Sequence, residues 1–112
     1  ELFFADKAIC IEGDTERILM PMMMHKIDNK ENPEGDIIPL LSQNISVIEV
    51  GAHSHIFIPL FEFLGIKVLI ITDIDAANKN DNGRYVKSHP KEAKYTSNAS
   101  IKDFLKILVL MN

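Results

Sequence analysis

Apolar residues along the chain fall into short continuous runs and into helix-like patterns, and the two kinds alternate. Continuous apolar runs that stop at glycine or at an acidic residue are typical of buried strands. Runs with apolar residues three or four positions apart are typical of helices. The pattern predicts strands at Lys7–Gly13, Ile45–Val50 and Ile66–Asp73, and helices at Thr15–Ile27, His55–Gly65 and Ala99–Leu108.

This alternation predicts an α/β domain with a central, mainly parallel sheet and helices on both faces. Right-handed crossovers place the C-terminal ends of all such strands at one edge of the sheet, and ligands bind at that edge. The polar segments 28–36 and 76–98 are predicted to be loops. Pro21 should kink the first helix, and Pro59 is placed in or near the first turn of the second, where proline is tolerated.

Cap residues support these helix boundaries. Asp14 or Thr15 is available as the N-cap of the first helix, and Ser97 or Asn98 as that of the last. Gly65 is expected near the C-cap of the second helix, since glycine readily adopts the left-handed conformation found there.

Four acidic residues follow two of the predicted strands. Glu12 ends the first strand, and Asp73 and Asp75 end the third in the sequence "ITDID". Glu16 lies four residues after Glu12, about one turn into the following helix. If the first and third strands are neighbours in the sheet, these carboxylates converge at one edge.

Carboxylates brought together in this way repel one another, which should raise some of their pKa values. A divalent cation removes that cost, and carboxylate oxygens are the preferred ligands of Mg²⁺. Two such ions about 4 Å apart can hold both the attacking and the leaving oxygen of a phosphodiester. A plainer interpretation stays open for Asp14 and Glu16, because acids also stabilise a helix N-terminus.

Composition narrows the class of protein further. The chain has 112 residues, of which 46% are hydrophobic, and it fits one globular domain. Its net charge of −4 argues against strong autonomous DNA binding, because domains that hold nucleic acid alone are usually basic. The lone cysteine, Cys10, indicates an inert core thiol and a cytoplasmic, reducing environment. No apolar run approaches the roughly 18 residues of a membrane span, and a start at Glu1 predicts a processed or partial chain.

Three segments, "FFADKAICIEGDTERILMP", "VGAHSHIFIPLFEFLGIKVLIITDIDA" and "YTSNASIKDFL", resemble the C-terminal TOPRIM (topoisomerase–primase) region of the OLD (overcoming lysogenization defect) family of ATP-dependent endonucleases. The resemblance implies that residues 1–112 form a single, Rossmann-like three-layer TOPRIM domain in a larger protein with an upstream ABC-type ATPase domain. It also implies hydrolysis of DNA with two Mg²⁺ or Mn²⁺ ions, and it is compatible with a homo-oligomer of the full-length protein.

The same resemblance assigns roles to individual residues. Glu12 matches the family's first acid, a metal ligand or acid/base group, and Glu16 matches the second acid of that motif. Asp73 and Asp75 match the Asp-x-Asp pair that holds the divalent ions. All four are therefore catalytic and metal-binding candidates, and the auxiliary candidates are Gly13, Asp14, His53 and Ser97.

Two features of the family are missing from these 112 residues. No Gly-x-x-x-x-Gly-Lys-Ser/Thr sequence occurs, so the ATP site is expected in another domain. The family's catalytic lysine is expected in a later part of the nuclease region, and Lys79, Lys87, Lys91 and Lys94 are predicted to be solvated loop lysines. The segment is therefore expected to bind metal and to cut DNA poorly on its own.

Other functions stay open. A topoisomerase or primase domain would share these acids, although Tyr85 and Tyr95 have no evident activating neighbour for a nucleophilic role. A non-catalytic module for metal binding or oligomerisation would suit the acidic charge and the missing lysine. A flavodoxin-like or response-regulator-like domain ranks last, because no phosphoacceptor followed by a lysine strand is evident.

Histidine and methionine are predicted to be structural. His53 lies near the edge that carries the acids, but a helix cap or a packing contact is favoured over a zinc ligand. His25 and His89 are predicted on the surface. The methionines are expected to pack in the core around Pro21, and they are Met20, Met22, Met23 and Met24.

Overall fold

The computed structural model describes residues 4–31 and 34–111, with side chains up to residue 106. Three α-helices, one 3-10 helix and six strands follow one another in these described residues. In order they are β1 (Lys7–Ile11), α1 (Asp14–Glu31), a 3-10 helix (Leu40–Ser42), β2 (Ile45–Glu49), α2 (Ser54–Leu64), β3 (Lys67–Ile70), β4 (Ala76–Lys79), β5 (Tyr85–Lys87), β6 (Tyr95–Thr96) and α3 (Ala99–Met111).

The first three strands form a parallel sheet in the order β2-β1-β3. Ile9 in the central strand lies opposite Val47 on one side and Leu69 on the other. The first and third strands are therefore neighbours, as the convergence of the four acids requires. The ladder extends just past the strand ends, because Ile71 N–H donates to the Cys10 carbonyl at 2.9 Å.

A helix covers each face of this sheet. On one face, Met20 and Met24 of α1 pack against Ile9 and Ile11. On the other face, Phe61 of α2 packs against Ala8 and Cys10. The prediction of an α/β domain with a parallel sheet and flanking helices is confirmed.

The methionine prediction was half wrong. Met22 and Met23 are exposed, because only the positions that face the sheet are buried along α1. Cys10, by contrast, is fully buried, and burial raises the pKa of its thiol, which agrees with an inert core residue.

The segment 76–98 is not the predicted loop but a small antiparallel sheet in the order β5-β4-β6. Its strands are two to four residues long, too short to produce a recognisable alternation of apolar and polar residues. The turn between β4 and β5 is built by Asn80, whose side-chain oxygen accepts the N–H groups of Asn82 and Arg84 at 3.1 and 2.9 Å. Gly83 supplies the positive φ of +73° in this turn.

Helix boundaries also differ from the prediction, and α1 continues to Glu31, so that residues 28–31 of the predicted loop are helical. α1 starts at Asp14, so neither Asp14 nor Thr15 is its cap. α2 starts at Ser54, one residue before the predicted start, and Pro59 is its sixth residue, just beyond the first turn. Gly65 is the C-cap of α2 with φ of +68°, as predicted. No helix in the described residues is both long and apolar enough to cross a membrane.

Candidate metal and catalytic site

The candidate acids meet where β1 and β3 end. Glu12 directly follows β1, and Thr72, Asp73 and Asp75 lie on the segment that leaves β3. Glu16 lies in the first turn of α1. Because β1 and β3 are adjacent and parallel, these segments leave the sheet at the same edge.

Glu12 is held by two neighbours that are distant in sequence. Its Oε1 accepts a hydrogen bond from the Thr72 hydroxyl and another, at 2.9 Å, from the Asn98 side-chain amide. Two donors on one oxygen limit the rotation of the carboxylate. The orientation of Glu12 therefore depends on β3 and on the start of α3.

Glu16 closes the start of α1. Its Oε2 accepts the Gly13 N–H at 3.0 Å, and the Gly13 carbonyl accepts the N–H of Arg17 at 3.2 Å. Gly13 is therefore the N-cap, and Glu16 supplies the reciprocal half of a capping box. A Cβ on Gly13 would lie 3.8 Å from Glu16 Oε2, an ordinary contact, so local space does not require glycine there.

Asp73 experiences the charge of the other candidate acids. Its side chain is exposed, and its pKa is raised chiefly by the Glu12 carboxylate, with smaller contributions from desolvation, Glu16 and Asp75. A raised pKa means that the ionised form is disfavoured by neighbouring negative charge. The four acids thus form one electrostatic group in the folded chain.

Asp75 adopts an unusual backbone conformation. Its φ of +47° is the one positive value at a non-glycine residue in the described chain, a conformation that aspartate tolerates better than most residues. Its carbonyl accepts the N–H of Ser97 at 2.9 Å and the Ser97 hydroxyl at 3.4 Å. The auxiliary candidate Ser97 therefore fixes the backbone of Asp75.

Asn98 is a component of the site that the sequence favoured as a helix cap, with a role beside the metal site as the less favoured alternative. It is 1% exposed, and its side-chain oxygen caps α3 by accepting the Ile101 N–H at 3.1 Å. Its amide group also donates to Thr72 Oγ1 at 2.7 Å and to the Asp73 carbonyl at 3.0 Å, besides Glu12. Asn98 and Thr72 thus join α3 to both acidic segments.

The remaining candidates make no contact with this network in the described residues. Asp14 is exposed in the first turn of α1. His53 occupies the N-cap position of α2 without a side-chain cap bond, and its ring lies 6.1 Å from that of His55. Glu49, a further acid at the end of a strand, is paired with Arg17 at 3.1 Å.

The site has suitable ligand atoms but no closed metal cage. Among the side chains that the structure describes, no three His, Cys, Asp or Glu residues are arranged to hold one metal ion. The oxygen donors nevertheless match a hard cation, and Mg²⁺ is commonly bound by one or two carboxylates, with waters and substrate phosphates as its other ligands. The four acids offer oxygen ligands of the type that such a cation prefers, without forming a preformed site in the described residues.

Comparisons with known proteins bear on this interpretation. A family model described as "Overcoming lysogenization defect protein-like, TOPRIM domain" matches residues 3–75, which include all four acids and Thr72 but not Asn98. "Endonuclease GajA" of Bacillus cereus (strain HuB5-5) is 34% identical over 106 residues, covering 93% of this chain. The chain spans only 14% of the length of that relative. No solved structure gives a significant match.

Proposed function

Because the chain belongs to the OLD-like TOPRIM family, we propose that it is the nuclease domain of a DNA endonuclease that requires a divalent metal ion. The observation that carries the proposal is the convergence of Glu12, Glu16 and Asp75 on Asp73, whose pKa is raised by their charges. Carboxylates that repel one another when ionised are strongly stabilised by a cation bound between them. The similarity to a curated endonuclease supports a nuclease-type domain.

The residues of the site have different parts in this proposal. The exposed carboxylates of Asp73 and Asp75 present oxygens for cation binding, while Glu12 is already oriented by Thr72 and Asn98. Such cations, when bound, supply positive charge to the attacking water and to the leaving oxygen. Glu12, held in one orientation by these two bonds, takes the part of the acid/base group in this proposal.

The proposal extends to the protein that contains this domain. We infer that this domain acts beside an ATPase domain of a longer chain, as membership of the OLD-like family suggests. The low coverage of the curated relative agrees with a larger protein in that family.

The first test is titration of Mn²⁺ into the full-length protein by calorimetry. The variant Asp73→Asn/Asp75→Asn removes two carboxylates without changing shape, and asparagine tolerates the left-handed conformation at position 75. Glu49→Gln is the matched control, since it removes an acid that also ends a strand but is paired with Arg17. Binding should be lost in the double variant and kept in the control.

Nicking of supercoiled plasmid in Mn²⁺ completes the test. The proposal expects that the double variant loses nicking at least about 100-fold, as expected when the positioning of catalytic cations is lost. Undiminished nicking by the double variant would show that the four acids are not the catalytic site.

A second candidate function, which suits the net charge of −4, is a non-catalytic metal-binding module. A non-catalytic module that responds to metal would bind Mn²⁺ through the same acids and yet leave the full-length protein unable to nick DNA. The two assays separate these functions. A topoisomerase role is less favoured, because the curated relative is an endonuclease by name.

A further inference from the structure

The net charge of −4 is the sum of two unlike parts of the chain. Residues 1–75 carry five basic and 13 acidic residues, whereas residues 76–112 carry seven basic and three acidic ones. The corresponding net charges are −8 and +4. The second part therefore has an electrostatic preference of its own, which the acidic total conceals.

A cleft of about 850 Å³ lies between the small antiparallel sheet and α3 in this basic part. Tyr85 and Tyr95 line the cleft, and each is nearly half exposed. Three lysines, Lys94, Lys102 and Lys106, line it as well. Aromatic rings bordered by cations fit a ligand that has both flat apolar groups and negative charge.

The lysines near the rings have no carboxylate partner among the side chains that the structure describes. Lys102 Nζ lies 4.3 Å from the centre of the Tyr85 ring, and Lys79 Nζ lies 5.2 Å from that of Tyr95. The two rings contact each other edge to face, with centres 5.9 Å apart. Within the part of the chain whose side chains are described, none of these lysines forms a salt bridge. Their positive charge is therefore available to an anionic ligand.

The cleft adjoins the candidate acids. Ile74, which stands between Asp73 and Asp75, lines it. The Thr96 hydroxyl donates to the Ile74 carbonyl, and the Ser97 N–H donates to the Asp75 carbonyl at 2.9 Å. One backbone segment thus carries the acids and a wall of the cleft, and a polymer lying in the cleft would reach the acids.

We propose that this cleft binds a single DNA strand and directs it to the acidic edge of the parallel sheet. Bases stack on Tyr85 and Tyr95, and phosphates contact the lysines. A single strand fits better than a duplex, because the faces of paired bases are covered by their neighbours and cannot reach an aromatic ring. The inference rests on the proposed function only in that DNA is the substrate.

The test measures DNA binding without metal, so that it does not depend on catalysis. Fluorescence anisotropy of the full-length protein is recorded with a labelled single strand of about 16 nucleotides and with its duplex, in EDTA. The variant Lys94→Gln/Lys102→Gln/Lys106→Gln removes three charges from the cleft. The matched control, Lys26→Gln/Lys30→Gln/Lys67→Gln, removes three charges from exposed positions of α1 and β3.

The cleft variant should bind the single strand at least about tenfold more weakly than the control. Its plot of log affinity against log salt should be shallower by about 2, because each phosphate contact contributes about 0.7. Tyr85→Leu/Tyr95→Leu should weaken binding at least about fivefold and leave the salt slope unchanged, since stacking carries no charge. Replacement of the three lysines by arginine should restore binding, which excludes misfolding as the cause.

Equal weakening by the cleft and control variants would overturn the proposal, as would tighter binding of the duplex than of the single strand. Failure here leaves the nuclease proposal intact if plasmid nicking still depends on Asp73 and Asp75. Conversely, if single-stranded DNA binds through the cleft but the protein does not nick plasmid DNA, only the nuclease proposal is refuted.

Discussion

Replacing Asn98 should loosen the start of α3 and the candidate site together. Its buried side chain makes four hydrogen bonds, one that caps α3 and three that reach Glu12, Thr72 and the Asp73 carbonyl. Asn98→Ala removes them all. Asn98→Ser keeps a capping oxygen but is too short to replace the amide group.

The expected magnitudes follow from these contacts. Loss of an N-cap costs about 1 kcal/mol. Loss of the amide donor costs about 1–3 kcal/mol, because the Asp73 carbonyl and Thr72 lose a partner while partly exposed Glu12 can turn to water. We therefore expect Asn98→Ala to lower the local stability of this region by about 2–4 kcal/mol and Asn98→Ser by about 1–3 kcal/mol.

Hydrogen exchange measured by mass spectrometry on the metal-free full-length protein tests this difference directly. Amides at the start of α3 should exchange about 30- to 1,000-fold faster in Asn98→Ala. This factor is the expected loss of local stability of about 2–4 kcal/mol, converted into a ratio of exchange rates. Ser97→Ala is the control, since the exposed Ser97 hydroxyl makes one long bond of 3.4 Å. If Asn98→Ser exchanges like the unmodified protein, the amide bridge contributes nothing and the reasoning is refuted.

Three other predictions concern single positions. Neighbouring charges raise the pKa of Asp73, so the folded chain binds a proton at Asp73 more tightly than the unfolded chain does. The repulsion between ionised Asp73 and its acidic neighbours therefore destabilises the folded chain at neutral pH. This destabilisation is lost as the pH falls toward the ordinary pKa of 3.8. Asp73→Asn should therefore raise the metal-free melting temperature at about pH 7 and leave it unchanged at about pH 3; an equal shift at both would contradict the electrostatic cause. At the left-handed position 75, Asp75→Ala should be less stable than Asp75→Gly by about 1 kcal/mol in urea unfolding, and equal stability would argue against that conformation. Phe61→Ala should cost about 3–5 kcal/mol in the same assay because Phe61 is 3% exposed, whereas Phe63→Ala at an 86% exposed position should cost less than about 0.5 kcal/mol; similar losses would contradict the assigned core.

The parallel sheet could be predicted because each of its strands contains a run of mainly apolar residues, as is typical of strands that pack against helices. The helix between β2 and β3 also ends at a clear cap, Gly65. The small antiparallel sheet could not be predicted, because strands such as Tyr95–Thr96 are too short to carry a pattern. Their pairing depends on a turn built by Asn80 and on contacts between distant residues.

The candidate site could be predicted in part for the same reason. Glu12 and the Asp-x-Asp pair are marked by their places after strands, which is local information. Thr72 and Asn98 are not marked, because what matters is their contact with Glu12 across 60 and 86 positions of the chain. Helix capping is a sufficient local reason for an asparagine at the start of α3. The sequence pattern therefore does not reveal its hydrogen bonds to Glu12 and Thr72.

The bond between Asn98 and Glu12 also has a consequence for the order of events during synthesis. All four acids are present once Asp75 has left the ribosome, but the side chain that orients Glu12 belongs to a helix made afterwards. Closing a contact across 86 residues requires that most of this 112-residue chain has folded. A growing chain therefore carries the carboxylates before it can orient Glu12, which is held by Asn98 only after the start of α3 has docked.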